Sequence, residues 1–206
     1  MNYLKHSLRI FLLLGLAACQ SLPPEPEPAP EAVIEEAPGA VETAAVVDPN
    51  IARYESAISD LKNKKFETAI QQLETLSQTA PELEFVFTNL GLAQFKLENY
   101  DKAKQAFEQA IAQNNQDAVA FNHLGIIHRL RGQFDEASQA YQSAIKINSK
   151  YAHAHLNLGI LYDIYLQDLK LALAQYQTYQ TLTDNEDKTV EKWIVDIERR
   201  IKAGQS

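Results

Sequence analysis

The chain has 206 residues, 46% of them apolar and 22% charged, and a net charge of −8, enough to bury one ordinary core. Its only cysteine, Cys19, excludes a disulfide within the chain. From residue 49 onward 17 Lys and Arg stand against 20 Asp and Glu, and this lack of basic excess speaks against nucleic acid as a partner.

Lys5 and Arg9 precede an apolar run from Ile10 to Leu16, which Ala17, Ala18 and Cys19 follow. A basic start with a short apolar stretch reads as a secretory signal over residues 1–18. A stable membrane-spanning helix needs about 20 apolar residues, and this run has roughly half that. The run Leu16, Ala17, Ala18, Cys19 closely resembles the bacterial lipoprotein signal. That resemblance implies cleavage before Cys19, acylation of Cys19 with palmitate-type chains, and attachment to a membrane through the lipid. Gln20 rather than Asp after the cysteine implies sorting to the outer membrane, facing the periplasm.

Residues 19–48 are expected to be a tether. Six of the eight prolines lie between Pro23 and Pro38, and seven acids from Glu25 to Asp48 meet no Lys or Arg. Low hydrophobicity with charge of one sign cannot offset the entropy of ordering. Such a Pro-rich segment reaches up to ~90 Å at about 3.1 Å per residue.

Asp48-Pro49 then opens a helix, with Asp as N-cap and Pro in the first turn. Helical periodicity predicts pairs at 49–63 and 66–79, 82–97 and 100–113, 117–131 and 134–147, and 151–165 and 168–182. Turns fall at Asn63-Lys64, Glu98-Asn99, Arg131-Gly132 and Leu166-Gln167. A ninth helix over 187–202 carries an apolar stripe of Val190, Trp193, Ile194, Ile197 and Ile201, with charges opposite. That amphipathic pattern suits a cap over the end of a stack, within a terminal segment 184–206.

The pairs share a register. Gly91, Gly125 and Gly159 stand 34 residues apart, each after a leucine. Ala103, Ala137 and Ala172 follow them, and Ala69 lies 34 residues before Ala103. Gly inside a helix costs roughly 0.5–1 kcal/mol relative to Ala, so three in register point to a shared need for close helix approach. We expect the second helix to meet each glycine with its small alanine. A fixed period of this length marks a solenoid.

The residues Phe87, Leu90, Gly91, Tyr100, Ala103, Phe107 and Ala110 resemble the tetratricopeptide repeat (TPR) pattern. Phe121, Leu124, Gly125, Gly132, Phe134, Ala137, Tyr141 and Ala144 repeat it. Ala57, Phe66, Ala69, Leu73, Leu76 and Pro81 keep it in part. So do Leu158, Gly159, Tyr162, Ala172 and Tyr176, with one extra residue assigned to their internal turn. The resemblance implies an all-α, right-handed superhelix of four repeats, at 49–82, 83–116, 117–150 and 151–183, plus the cap.

It also implies a binding mode. By resemblance, a stripe on each first helix faces a concave groove that takes a protein segment. The groove set is Tyr54, Ile58, Phe85, Thr88, Asn89, Leu92, Phe95, Asn122, His123, Ile126, Arg129, His153, Leu156, Asn157 and Ile160, with Ile51 and Val119 on the same stripes. Asn89, His123 and Asn157 recur in register and are expected to bond a ligand's backbone, and Asn122 to fix its register. The family's carboxylate clamp needs Lys and Asn where Tyr54 and Ile58 stand, so chain-terminal carboxylates are not the expected ligand. The expected partner is another envelope protein, bound through an apolar or amphipathic segment.

No phosphate-binding loop or serine elbow is present, and the glycines sit at helix-packing positions. His123 and His153 are placed by resemblance on the groove, while His128 and His155 take ring-packing positions. No cysteine or close carboxylate pair completes a zinc site with them. Neither catalysis nor a cofactor or metal is expected. Two rival readings remain: a solenoid that self-associates through its cap into a homo-oligomer and, more remotely, a metal-dependent hydrolase.

Overall fold

The computed structural model describes residues 48–204, and these are helical throughout, with no strand among them. The signal, Cys19 and the tether up to residue 47 lie outside the described residues. Four antiparallel pairs follow one another: α1 (Pro49–Lys62) with α2 (Phe66–Thr79), α3 (Val86–Lys96) with α4 (Tyr100–Gln113), α5 (Ala118–Leu130) with α6 (Phe134–Ile147), and α7 (Ala152–Ile160) with α8 (Leu169–Leu182). A ninth helix, α9 (Lys188–Ala203), closes the stack against α8. Each pair packs on the next, so the core is a continuous seam rather than one central cluster.

Local chemistry sets the helix starts. Asp48 caps α1 by accepting from the Asn50 N–H at 2.8 Å, with Pro49 in the first turn. Asp187 does the same for α9 through the N–H groups of Thr189 (2.9 Å) and Val190 (3.1 Å). Within each pair the chain reverses through one left-handed residue: Lys64 (φ 59°), Glu98 (58°), Gly132 (72°) or Gln167 (54°).

The glycine register has a sharper cause than small residue against small residue. A Cβ on Gly91, Gly125 or Gly159 would lie 2.6 Å from Phe107, 2.5 Å from Tyr141 or 2.6 Å from Tyr176. Each ring stands four residues after the repeat's alanine, on the second helix of the same pair. The glycine therefore makes room for an aromatic ring that is almost wholly buried. In the first pair the equivalent positions are Ala57 and Leu73, a small side chain with a branched aliphatic one, both fully buried in one cluster.

Two boundaries differ from the expected ones. The extra residue of the fourth repeat lies inside its first helix, as a π-helical segment over Leu161–Tyr165, and not in the turn. Gln167 turns the chain as its counterparts do. The bulge buries Asp163, which accepts from Arg200 of α9 at 2.8 Å and so holds the cap. On α9, Val190 and Ile197 are buried, while Trp193 is half-buried with its ring 5.5 Å from that of Tyr176.

The second difference is at α3, which starts at Val86 rather than 82. At the later junctions Asn114 and Asn148 accept the N–H groups of Gln116 (2.9 Å) and Lys150 (3.0 Å). These side-chain turns aim the chain into the next helix. Asp117 then caps α5 through the Ala120 N–H at 2.8 Å. The residues 34 positions before Asn114 and Asp117 are Ala80 and Leu83, which offer no such acceptor. The chain runs through turns between Pro81 and Phe85, with the Leu83 N–H on the Ala80 carbonyl at 3.1 Å, and Phe85 takes a left-handed φ of 64°.

Candidate functional site: the first-helix face

Helices α1, α3, α5 and α7 carry all but one of the expected groove residues, and Phe85 precedes α3. Ten of those fifteen are buried against neighbouring repeats, their own pair or the cap: Tyr54, Ile58, Thr88, Asn89, Asn122, Ile126, Arg129, Leu156, Asn157 and Ile160. Phe85, Leu92, Phe95, His123 and His153 keep partial exposure, as do Ile51 and Val119.

The polar members of the set form a ladder between repeats. Asn89 Nδ2 donates to the Tyr54 hydroxyl at 2.9 Å. The Thr88 hydroxyl donates to Asp117. Asn157 Nδ2 donates to Asn122 Oδ1 at 2.9 Å, and Asn122 Nδ2 reaches the Tyr151 hydroxyl at 3.4 Å. Burial pushes the Tyr151 phenol up to about 12. The Arg129 guanidinium lies 5.8 Å from the Tyr165 ring centroid and donates to its hydroxyl at 3.4 Å. Asn89, Asn122 and Asn157, expected to bond a ligand, are thus engaged with neighbouring repeats in this structure. A buried amide must be satisfied, and these are satisfied by a neighbouring repeat, the preceding one for Asn89 and Asn157 and the following one for Asn122.

The histidines separate. His123 turns away from the groove. Its Nδ1 faces the Val119 carbonyl at 2.9 Å, which fixes the proton on that nitrogen. Its ring stacks on Phe107 (5.2 Å) and meets Phe95 edge-on (5.5 Å). Burial lowers its pKa to about 4. His153 stays partly open between Tyr151 and Tyr179, and its pKa is also lowered by burial. His155 is buried, bonded to Gln175 at 2.8 Å and to the Ser149 carbonyl at 3.1 Å. His128 faces Gln133 at 2.9 Å. Among the described residues no three His, Cys, Asp or Glu side chains gather where they could hold a metal ion.

The apolar members also divide. Leu156 and Ile160 belong to the cluster that α9 completes, so the cap covers that end of the face. Phe95 packs against Tyr100 and His123 and joins two core clusters. Phe85 belongs to none of the clusters, and Leu92 lies against one while keeping its outer side open. The partly open apolar side chains that join no more than one cluster are therefore Phe85 and Leu92 on the second repeat, with Ile51 and Val119 partly open on the first and third.

The late start of α3 adds a feature that the repeat pattern does not announce. A cavity of about 460 Å³ opens between the Glu82–Phe85 loop, the first turn of α3 and the junction from α4 to α5. The signal was present in the sequence as the replacement of Asn and Asp by Ala80 and Leu83.

Antiparallel pairs of this length, stacked with a Gly-to-ring contact in each of the last three, define a helical-repeat protein. The chain carries tetratricopeptide repeats: residues 85–117 match the tetratricopeptide repeat model and residues 127–163 a second TPR repeat model. No curated protein sequence matches the chain. Solved structures do match its fold. PilF from Pseudomonas aeruginosa is 16% identical with a TM-score of 0.65, over 75% of this chain and 69% of that one. MamA from Desulfovibrio magneticus RS-1 is 19% identical with a TM-score of 0.59, over 68% and 78%. A thermophilic TPR protein of Thermus thermophilus, TTC0263, is 16% identical with a TM-score of 0.59, over 74% and 82%. At these identities the likeness is one of fold. TPR proteins are protein-interaction scaffolds.

Proposed function

We propose that this chain is a lipid-anchored TPR adaptor of the bacterial cell envelope. In this reading Cys19 carries the lipid on the periplasmic side of the outer membrane, and residues 19–48 space the solenoid from the bilayer. The solenoid then holds an apolar or amphipathic segment of another envelope protein. Resemblance suggests two jobs of this kind: a pilotin-like helper of a pilus or secretion pore, or a scaffold that recruits cell-wall enzymes. The anchor reading rests on the Leu16–Cys19 run. No helix among the described residues is long and apolar enough to cross a membrane.

The observation that carries the binding reading is the partial exposure of Phe85 and Leu92 on a face where Tyr54, Ile58, Ile126, Leu156 and Ile160 are buried. Large apolar side chains near the centre of a surface are common anchors of interfaces. A photocrosslinking residue placed at Leu92, and as a control at the exposed Gln139 of α6, tests it in the native envelope. A defined envelope protein attached from position 92 but not from 139 is the expected result. The same products from both positions, or none from 92, would overturn the groove assignment. For the anchor, Cys19→Ser should release the chain from the membrane fraction, and unchanged partitioning would refute it.

A further inference from the structure

We infer that the cavity at the entry to α3 binds a positively charged side chain, an arginine or lysine of the partner segment. The inference names the charge that the partner carries and so rests on the reading of the chain as a binder of protein segments. The cavity's volume of about 460 Å³ suits one long side chain with its flanking backbone. Its walls hold Glu82 and Glu84, both exposed at the rim, the buried carboxylate of Asp117, and the rings of Phe85 and Phe87. No Lys or Arg is among its lining residues.

Most of the walls lean the same way electrically. The C-terminal end of α4, at Gln113 and Asn114, presents carbonyl oxygens with the negative end of the helix dipole. The first turns of α3, without a side-chain cap, and of α5, capped by Asp117, oppose this with about half a positive charge each, which three carboxylates outweigh. Gln113 braces the cavity by donating to the Pro81 carbonyl at 2.9 Å. The Thr88 hydroxyl and the Ala120 N–H hold Asp117 from the opposite side. Aromatic rings beside carboxylates suit a guanidinium or ammonium, because the ring face and the acid both attract a cation while the alkyl stem packs on carbon. Phe85 and Thr88 line both this cavity and the first-helix face, so a segment lying along Leu92 would deliver a basic side chain here.

The test uses the full chain and two probes, N-acetyl-arginine amide and its neutral isostere N-acetyl-citrulline amide, followed by backbone amide NMR. Arginine should shift the amides of residues 82–88 and 113–117 and bind about tenfold more tightly than citrulline, as expected for charge added to ring contact. The double variant Glu82→Gln/Glu84→Gln, changed only at the exposed rim, should lose that preference. Phe85→Gly, which accepts the left-handed backbone, should weaken arginine binding by a few fold. Equal binding of the two probes, shifts elsewhere, or an arginine preference that survives the double variant would each overturn the assignment. Crosslinking from Leu92 is scored separately: if it persists while arginine shows no preference, the groove reading stands and the cationic cavity falls. An arginine preference without crosslinking from Leu92 keeps the cavity and removes the groove.

Discussion

The second and third repeats share almost every packing residue yet enter the solenoid differently. Gly91 with Phe107 and Gly125 with Tyr141 make the same close approach. Asn114 and Asp117 lead the chain directly into α5, whereas Ala80 and Leu83 leave the entry to α3 open. Packing within a pair and aiming between pairs are thus independent, because different side chains carry them. A repeat can lose its junction chemistry, keep its helix pair, and acquire a cavity.

The largest expected effect concerns the contact that joins these two repeats. His123 of α5 lies between Phe95 and Phe107 of the second repeat, held neutral by burial at a pKa of about 4. An unfolded histidine titrates near 6.5, so between pH 6.5 and 4 the unfolded chain binds more protons than the folded one. Stability is full above that window and falls as the pH drops through it, by roughly 3 kcal/mol across its width. Val119, Lys96, Asp117 and His153 surround the ring, of which Lys96 and Asp117 are charged and His153 is titratable. Melting curves at pH 7 and pH 4.5 should therefore converge more closely in His123→Phe than in the parent chain. An equal acid loss in both would place the sensitivity in the carboxylates instead.

Next comes the residue that separates the two junctions. Asp117 caps α5 and accepts from Thr88, at 5% exposure. Asp117→Ala removes the cap, worth about 1 kcal/mol, and leaves a buried hydroxyl without its acceptor, about 1–2 kcal/mol more. Denaturant unfolding should show a loss of about 2–3 kcal/mol. Leu83→Asp at the equivalent position, combined with Ala80→Asn, should instead start α3 earlier and narrow the cavity, read as lost arginine shifts in the NMR assay. If the double change leaves the entry open, the missing acceptors are not what delays α3.

Most of the fold was legible because packing writes a period. Gly, Ala and ring positions recur at 34 residues, and the pairs follow within a few residues of their predicted limits. The exceptions are decided by contacts that periodicity does not encode. The extra residue of the fourth repeat enters its first helix, where the bulge lets Asp163 meet Arg200, 37 positions along the chain. On the candidate site the sequence marks which helix face a residue lies on. It does not tell whether a neighbouring helix covers that face. Asn157 and Leu92 look equally available in the pattern, yet Asn157 bonds Asn122 while Leu92 keeps an open side.

The smallest expected effect returns to the two repeats where they are most alike. Their internal turns both need a left-handed residue, and the third supplies Gly132 (φ 72°) while the second supplies Glu98 (φ 58°). An L side chain in this region costs roughly 1–2 kcal/mol, whereas glycine accepts it freely. No atom lies within 4 Å of a Cβ built on Gly132, so packing does not enter the comparison. Glu98 is exposed at its turn, where its backbone N–H donates to the Phe95 carbonyl at 2.9 Å, a bond that glycine keeps. Glu98→Gly should therefore stabilise the chain, and Gly132→Ala should destabilise it, each by about 1 kcal/mol after the greater freedom of glycine in the unfolded chain is set against the strain. Thermal melts of the two variants should shift in opposite directions by a few degrees. Shifts of the same sign would mean that these turns differ in more than the residue that fills them, and that the likeness between the two repeats ends at their helices.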